Sequence, residues 1–230
     1  MKRHDADRPA GDPTLCADAR AAPRRRAAVL LLAAAAGLLA GCSGTLLPKP
    51  QAPPARFTLD GAAAAAAATP RRAAADAPAL VVAVPRAAPG HDGKRMVYLR
   101  HPLELEAFAF HEWVDPPAQM LAPLIVRSLQ DSGAFRAVLL APSAASGALR
   151  LETELIRLQQ DFGSQPSQVR LTLRAVLLDT ATRQVIGWRE FDESVAAKTD
   201  DPAGGVAAAH QATQRVLAAL ASFCAAQSRR

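Results

Sequence analysis

An uncharged apolar run that stops at a single cysteine constrains this chain more than any other feature. The run covers residues 27–40 and follows Arg24, Arg25 and Arg26. Its 14 residues are too few to cross a hydrocarbon core, which needs about 20. A charged segment, a short apolar run and small residues at its end are typical of a secretory signal peptide. We therefore predict that residues 1–41 are a leader that is removed.

The end of the run, Leu39-Ala40-Gly41-Cys42, resembles the bacterial lipobox. In that motif the cysteine thiol receives a diacylglycerol before cleavage, which would make Cys42 the lipidated N-terminus and the membrane anchor. Each buried CH₂ group contributes about 0.8 kcal/mol, so several acyl chains hold a protein firmly. The alternative is an ordinary signal peptide that ends by chance at a cysteine. Ser43 agrees with sorting to the outer membrane, because an aspartate at that position is typical of retention in the inner membrane.

The three cysteines have separate predicted fates. Cys16 leaves with the leader, Cys42 is acylated, and Cys224 stays alone near the C-terminus. The mature chain then has no internal disulfide. We expect Cys224 to be a small buried hydrophobic residue, since catalytic use would need a lowered pKa and a nearby base.

A change of composition follows Cys42. Four prolines between residues 48 and 54 and seven alanines at residues 62–68 cannot form a core. Residues 42–79 are therefore predicted to be a disordered tether, able to extend on the order of 100 Å at about 3.1 Å per residue. A short strand at residues 56–60 is the exception, and it is a candidate for docking on the sheet edge.

Dense apolar periodicity begins at residue 80 and predicts one domain over residues 80–227. Its fold class is α+β, with a mainly antiparallel or mixed sheet and two helices packed on one face. Asp115 is the predicted N-cap of the first helix, which Gly133 ends, and Pro123 predicts a kink or a start nearer Met120. The second helix is predicted over residues 201–227. The strands at residues 80–84 and 96–100 are expected to flank a Pro-Gly loop, and an extended piece is predicted over residues 103–110. Further strands are predicted over residues 135–140, 149–161, 169–179 and 185–194.

Net charge gives no reason to expect a nucleic-acid partner. Half of the formal charge of +6 lies in the predicted leader, which has seven Lys and Arg against four Asp and Glu. The remaining basic residues are scattered singly, without a basic run or interleaved aromatic residues.

Motifs for catalysis or metal binding are lacking as well. Residues 101–115 contain two histidines and several carboxylates, but their spacing matches no metal-ligand pattern. His210 lies near the apolar stripe of the second helix, where a packed, hydrogen-bonded histidine is expected. We predict no catalytic residue, no cofactor and no metal. A hydrolase built on His111 or His210 remains a third hypothesis, which alanine substitution of both residues would test.

Trp113 precedes Asp115-Pro116-Pro117. The first interpretation is a core anchor that fixes the start of the helix, and the alternative is a tryptophan at a partner interface.

The order of these features resembles the ABC-type transport auxiliary lipoproteins, the family of the paraquat-inducible protein C lipoprotein. The resemblance runs from Cys42 to about Phe223, and residues 95–100, followed by Trp113 and the two prolines before the helix, are its most specific part. The inserted-looking run over residues 62–72 departs from the family pattern.

The resemblance implies a non-catalytic outer-membrane lipoprotein that faces the periplasm. It implies work with an ABC transporter and a substrate-binding protein of the mammalian-cell-entry type, moving phospholipid or similar hydrophobic molecules between membranes. A homo-oligomer along a transport channel is also conceivable by family analogy. The alternative function is binding of an envelope polymer or of outer-membrane assembly factors.

Overall fold

The computed structural model of the protein describes residues 53–59 and 73–229. Within these ranges it has nine strands and two helices. The strands are β1 (Ala55–Phe57), β2 (Ala79–Val82), β3 (Arg86–Ala87), β4 (Arg95–Leu99), β5 (Leu105–Trp113), β6 (Ala137–Leu140), β7 (Leu149–Asp161), β8 (Gln168–Asp179) and β9 (Val185–Ala196), and the helices are α1 (Pro117–Asp131) and α2 (Pro202–Gln227).

Strand β7 organises the single mixed sheet. One side of β7 pairs with antiparallel β8 along nearly its whole length, and β8 pairs in turn with antiparallel β9. The other side of β7 is shared by the parallel strands β2, β3 and β4, one after another along its length. Strand β6 lies parallel to β2, β5 lies antiparallel to β4, and β1 lies parallel to β5. The sheet therefore has one long three-stranded part and a part made of short segments.

Both helices cover one face of this sheet, and the core lies beneath them. Helix α2 packs on β8 and β9, whereas α1 packs on β2, β6 and β7. Alternate residues of β8 supply the centre, since Leu171, Leu173 and Leu177 are fully buried. This alternation is the period-two pattern that the sequence predicts for a sheet with one wet face. The α+β prediction is confirmed.

Helix α1 begins differently from the sequence prediction. Its N-cap is Pro116, without a side-chain cap, and not Asp115. The Asp115 carboxylate instead lies 3.1 Å from Lys94 Nζ. Pro123 lies inside the helix, so the start is not displaced to Met120. A proline ring already fixes φ near the helical value in the first turn, which explains a start at Pro117 without a capping carboxylate.

Helix α2 follows its prediction closely. The N-cap Asp201 accepts a 2.7 Å hydrogen bond from the Gly204 N–H. The strands β2 and β4 flank the Pro-Gly loop as the sequence predicts, and both pair with β7. No helix within the described residues is long and apolar enough to span a membrane.

Candidate functional site

The predicted lipidation site, Cys42, lies outside the described residues. Residues 53–59, which we call the leading segment, are the first part of the chain that the structure describes. They are fixed to the sheet by β1, by a 2.7 Å hydrogen bond from the Val114 N–H to the Phe57 carbonyl, and by burial of Leu59. The predicted strand at residues 56–60 therefore lies at Ala55–Phe57 and docks on the edge strand β5.

His210 ties the leading segment to α2. Its Nε2 atom lies 2.8 Å from the Thr58 carbonyl oxygen. Because a carbonyl oxygen only accepts, this bond requires the proton on Nε2. His210 is thus a packed and hydrogen-bonded side chain, as the sequence predicts.

Trp113 lies at the end of β5 and is 4% exposed. Its indole belongs to the core and lines a cleft of about 20 Å³ together with Phe108 and Gln160. In this conformation the ring has almost no surface to offer to another protein, so the structure favours the core-anchor interpretation.

The carboxylates near the two histidines of residues 101–115 are separated. Glu106 accepts a 2.8 Å hydrogen bond from the Tyr98 hydroxyl, which raises the pKa of Tyr98. Glu112 pairs with Arg56 at 2.8 Å. In residues 53–59 and 73–229 no three His, Cys, Asp or Glu side chains gather into a group that could hold a metal ion.

Cys224 is fully buried on α2. Burial raises the pKa of its thiol to about 12. The thiolate is the reactive form of cysteine, so this side chain is chemically inert in the folded state.

The face of the sheet away from the helices has two halves. One half is a ladder of ion pairs across β7, β8 and β9. Arg170 Nε lies 2.9 Å from Asp192 Oδ1, and Arg174 contacts both Glu154 and Glu190. Hydrogen bonds from Arg170, with a further one from Thr172, lower the pKa of Asp192 to about 2. This half of the face is charged, and each of these three carboxylates is paired with an arginine.

The other half has an apolar cluster centred on Trp188, which is 67% exposed, next to the ion pair of Arg150 and Glu152 on β7. Trp188 lies directly opposite Val176, and Val185, 55% exposed, lies opposite Leu178. We call these four residues the Trp188 corner. Sequence reasoning missed it, although a signal was present. Phe191 is buried, and a residue three positions away on a strand points to the opposite face.

Family models provide the first comparison. The model described as ABC-type transport auxiliary lipoprotein component matches residues 57–221. No curated protein matches the chain.

Solved structures provide the second comparison. The crystal structure of protein XCC0632 from Xanthomonas campestris, a DUF330 protein, is 26% identical, with a TM-score of 0.62; the match covers 78% of this chain and 96% of that one. The crystal structure of an uncharacterized protein, 14% identical, has a TM-score of 0.58 and covers 75% of this chain and 99% of that one. The second likeness concerns the fold alone.

Proposed function

The chain belongs to the family of ABC-type transport auxiliary lipoprotein components, and on that premise we propose that it is a non-catalytic adaptor anchored in the outer membrane. Acyl chains on Cys42 hold one end, and the folded domain faces the periplasm. There it serves an ABC transporter with a substrate-binding protein of the mammalian-cell-entry type and assists the movement of phospholipid or a similar hydrophobic molecule. The family match over residues 57–221 carries this proposal.

The leading segment supports the adaptor role by limiting the reach of the domain. Because β1 docks on β5, the leading segment is part of the folded domain. The stretch that separates Cys42 from this domain is therefore residues 43–52. A fully extended chain spans at most about 3.3–3.6 Å per residue, so this stretch reaches roughly 35 Å. The domain would then work close to the membrane surface that holds its anchor.

The chemistry of the domain supports a binding role over a catalytic one. His210 is engaged by a backbone carbonyl, Cys224 is buried with a raised pKa, and Glu106 and Glu112 are held by separate partners. General acid–base work needs a poised group within hydrogen-bond reach of a substrate. The exposed apolar Trp188 corner is a feature suited to binding.

The anchor is tested by membrane fractionation of Cys42→Ser, with Cys224→Ser as the matched control. We expect Cys42→Ser to be recovered in the soluble periplasm, whereas Cys224→Ser stays with the outer membrane. Recovery of both variants with the membrane would contradict the proposal.

The partner is tested by in-cell crosslinking of the acylated protein. Crosslinks to an ABC transporter component or to a mammalian-cell-entry-type protein are expected. Crosslinks to outer-membrane assembly proteins or to envelope polymer alone would support the alternative function.

A further inference from the structure

The turn between β4 and β5 exposes a leucine completely. Leu103 is 102% exposed, and Leu105, the first residue of β5, is 43% exposed. We call residues 100–105 the Leu103 turn. Single exposed apolar residues are common on protein surfaces, so exposure alone does not make this turn a binding site.

The stability of the fold does not explain a leucine at this position. The Glu104 N–H donates to the His101 carbonyl at 3.2 Å, which closes a β-turn with Pro102 and Leu103 at its centre. Leu103 has a φ of +68°. Proline in the second place and a positive φ in the third are features of a type II turn, where glycine or asparagine is preferred. The chain thus holds a strained leucine where a small residue would suit the backbone better, and strain of this kind is concentrated at functional sites.

The chain enters the folded domain from the side of this turn. β1 runs parallel to β5, and Ala55 lies opposite His111. The chain before Ala55 therefore comes from the end of β5 that carries Leu105, about 20 Å away at about 3.3 Å per residue. The stretch over residues 43–52 reaches roughly 35 Å. It is long enough to place the predicted anchor level with the turn or beyond it.

We propose that the Leu103 turn contacts the phospholipid surface that holds the acyl chains of Cys42, with the Leu103 side chain at the boundary between headgroups and acyl chains. The inference rests on the proposed anchor and adds a second contact with the same membrane. One leucine binds a membrane weakly, whereas several acyl chains bind it firmly. The anchor therefore holds the domain, and the turn fixes its orientation.

The charges of the turn are compatible with phosphate headgroups. Arg100 is exposed, and its guanidinium lies 5.1 Å from the centre of the Tyr98 ring. Within residues 100–105 the sequence has one carboxylate, Glu104. The next one, Glu106, already accepts the hydrogen bond from the Tyr98 hydroxyl. The turn therefore has no net negative charge that would repel anionic lipid.

The Trp188 corner is a second exposed apolar surface, and it lies far from this turn. Trp188 is level with Glu152 of β7, whereas Leu99, just before the turn, is level with Asp161. These two levels are about 30 Å apart along β7. The ladder of ion pairs lies between them, so a sheet lying flat on the membrane would press charges against lipid at a cost in free energy. Contact through the turn leaves the Trp188 corner free for a partner.

Quenching of a fluorescent label by lipid tests the contact. Leu103→Cys and the control Val185→Cys, in the Trp188 corner, are purified with their acyl chains, labelled with nitrobenzoxadiazole and placed in vesicles of phosphatidylethanolamine and phosphatidylglycerol. Acylation blocks the thiol of Cys42 and Cys224 is buried, so each variant has one reactive thiol. Doxyl groups near the top of the lipid acyl chains should quench the label at position 103 about twofold or more than the label at position 185. Equal quenching at both positions, or stronger quenching at position 185, would overturn the proposal.

Leu103 also provides a matched pair of variants without a label. Leu103→Asn suits the positive φ and removes the apolar side chain, whereas Leu103→Met keeps an apolar side chain. On the same vesicles, amide exchange over residues 103–105 should be about threefold or more faster in Leu103→Asn than in the unaltered protein, and unchanged in Leu103→Met. In the soluble Cys42→Ser background, Leu103→Asn should not lower Tm, because the fold does not need this leucine. A lowered Tm, or equal exchange in both variants on vesicles, would count against the contact.

The outcomes separate this inference from the proposed function. If the unaltered protein floats with the vesicles but position 103 is quenched no more than position 185, the contact is refuted and the anchored adaptor stands. If the unaltered protein does not float with the vesicles, the lipid anchor fails and the contact fails with it.

Discussion

Gly204, in the first turn of α2, provides the sharpest test of the packing at the helix N-terminus. A Cβ atom built there would lie 2.9 Å from the backbone nitrogen of Thr199 and closer still to its carbonyl oxygen. Backbone atoms cannot rotate away as a side chain does, so Gly204→Ala must displace either the helix or the loop before it. That displacement also disturbs the bond from the Gly204 N–H to Asp201.

The change in the free energy of unfolding caused by Gly204→Ala is set by two opposing effects. Overpacking costs about 1–3 kcal/mol, and alanine in place of glycine in a helix returns up to about 1 kcal/mol. Because the obstacle is backbone, we expect Gly204→Ala to lower the free energy of unfolding by about 2 kcal/mol, or Tm by about 4–8 °C. Thermal unfolding followed by circular dichroism measures both.

Two neighbouring substitutions serve as controls. At Gly205 the same Cβ would meet the end of the Gln160 side chain, with Cδ at 2.8 Å. That amide can rotate, although it would give up its 2.9 Å bond to Ser167, so a smaller loss of about 1 kcal/mol is expected. Gly93→Ala meets no atom closer than 4.0 Å and should leave Tm unchanged. An unchanged or raised Tm for Gly204→Ala would refute the reasoning.

Three further predictions concern ionisation and local stability. Arg170 holds the pKa of Asp192 in the folded state at about 2, below the ordinary value of 3.8, so this stabilisation is present above pH 3.8 and is lost as pH falls through 2. Urea unfolding should show Asp192→Asn slightly less stable than the unaltered protein at pH 7, with most of the difference gone at pH 2. An equal difference at both pH values would contradict this. Cys224, with its pKa near 12, should react with iodoacetamide at pH 8 only as fast as the protein unfolds, and rapid labelling of the folded protein would argue against its burial. His210→Ala removes the bond to Thr58 and should speed amide exchange in the leading segment more than in β7, as hydrogen-exchange mass spectrometry would show; equal acceleration in both would mean that His210 supports the whole domain.

Local periodicity was enough to predict the long elements. The alternation of buried and exposed residues over Leu149–Asp161 gives β7 its bounds, and the apolar stripe of α2 gives that helix its range. The strand order was beyond the sequence because it is set by contacts between distant residues. Nothing local in β2 or β4 indicates that both share the same side of β7. Local rules also predicted the wrong N-cap for α1. The fixed φ of proline starts the helix at Pro117, and the Asp115 carboxylate does not cap it.

The two tryptophans show why the candidate site was harder to predict than the fold. Trp113 lies just before the start of α1 in a recognisable motif, which made it a candidate interface residue. Its ring is nevertheless buried in the core. Trp188 has no motif around it; its odd spacing from Phe191 puts the two side chains on opposite faces of β9, and the structure shows that Phe191 faces the core. The burial of a side chain such as Trp113 follows from the amphipathic pattern of one strand. The exposure of Trp188 also depends on where β9 lies in the sheet. A surface of this kind therefore becomes visible only once the pairing of every strand is known.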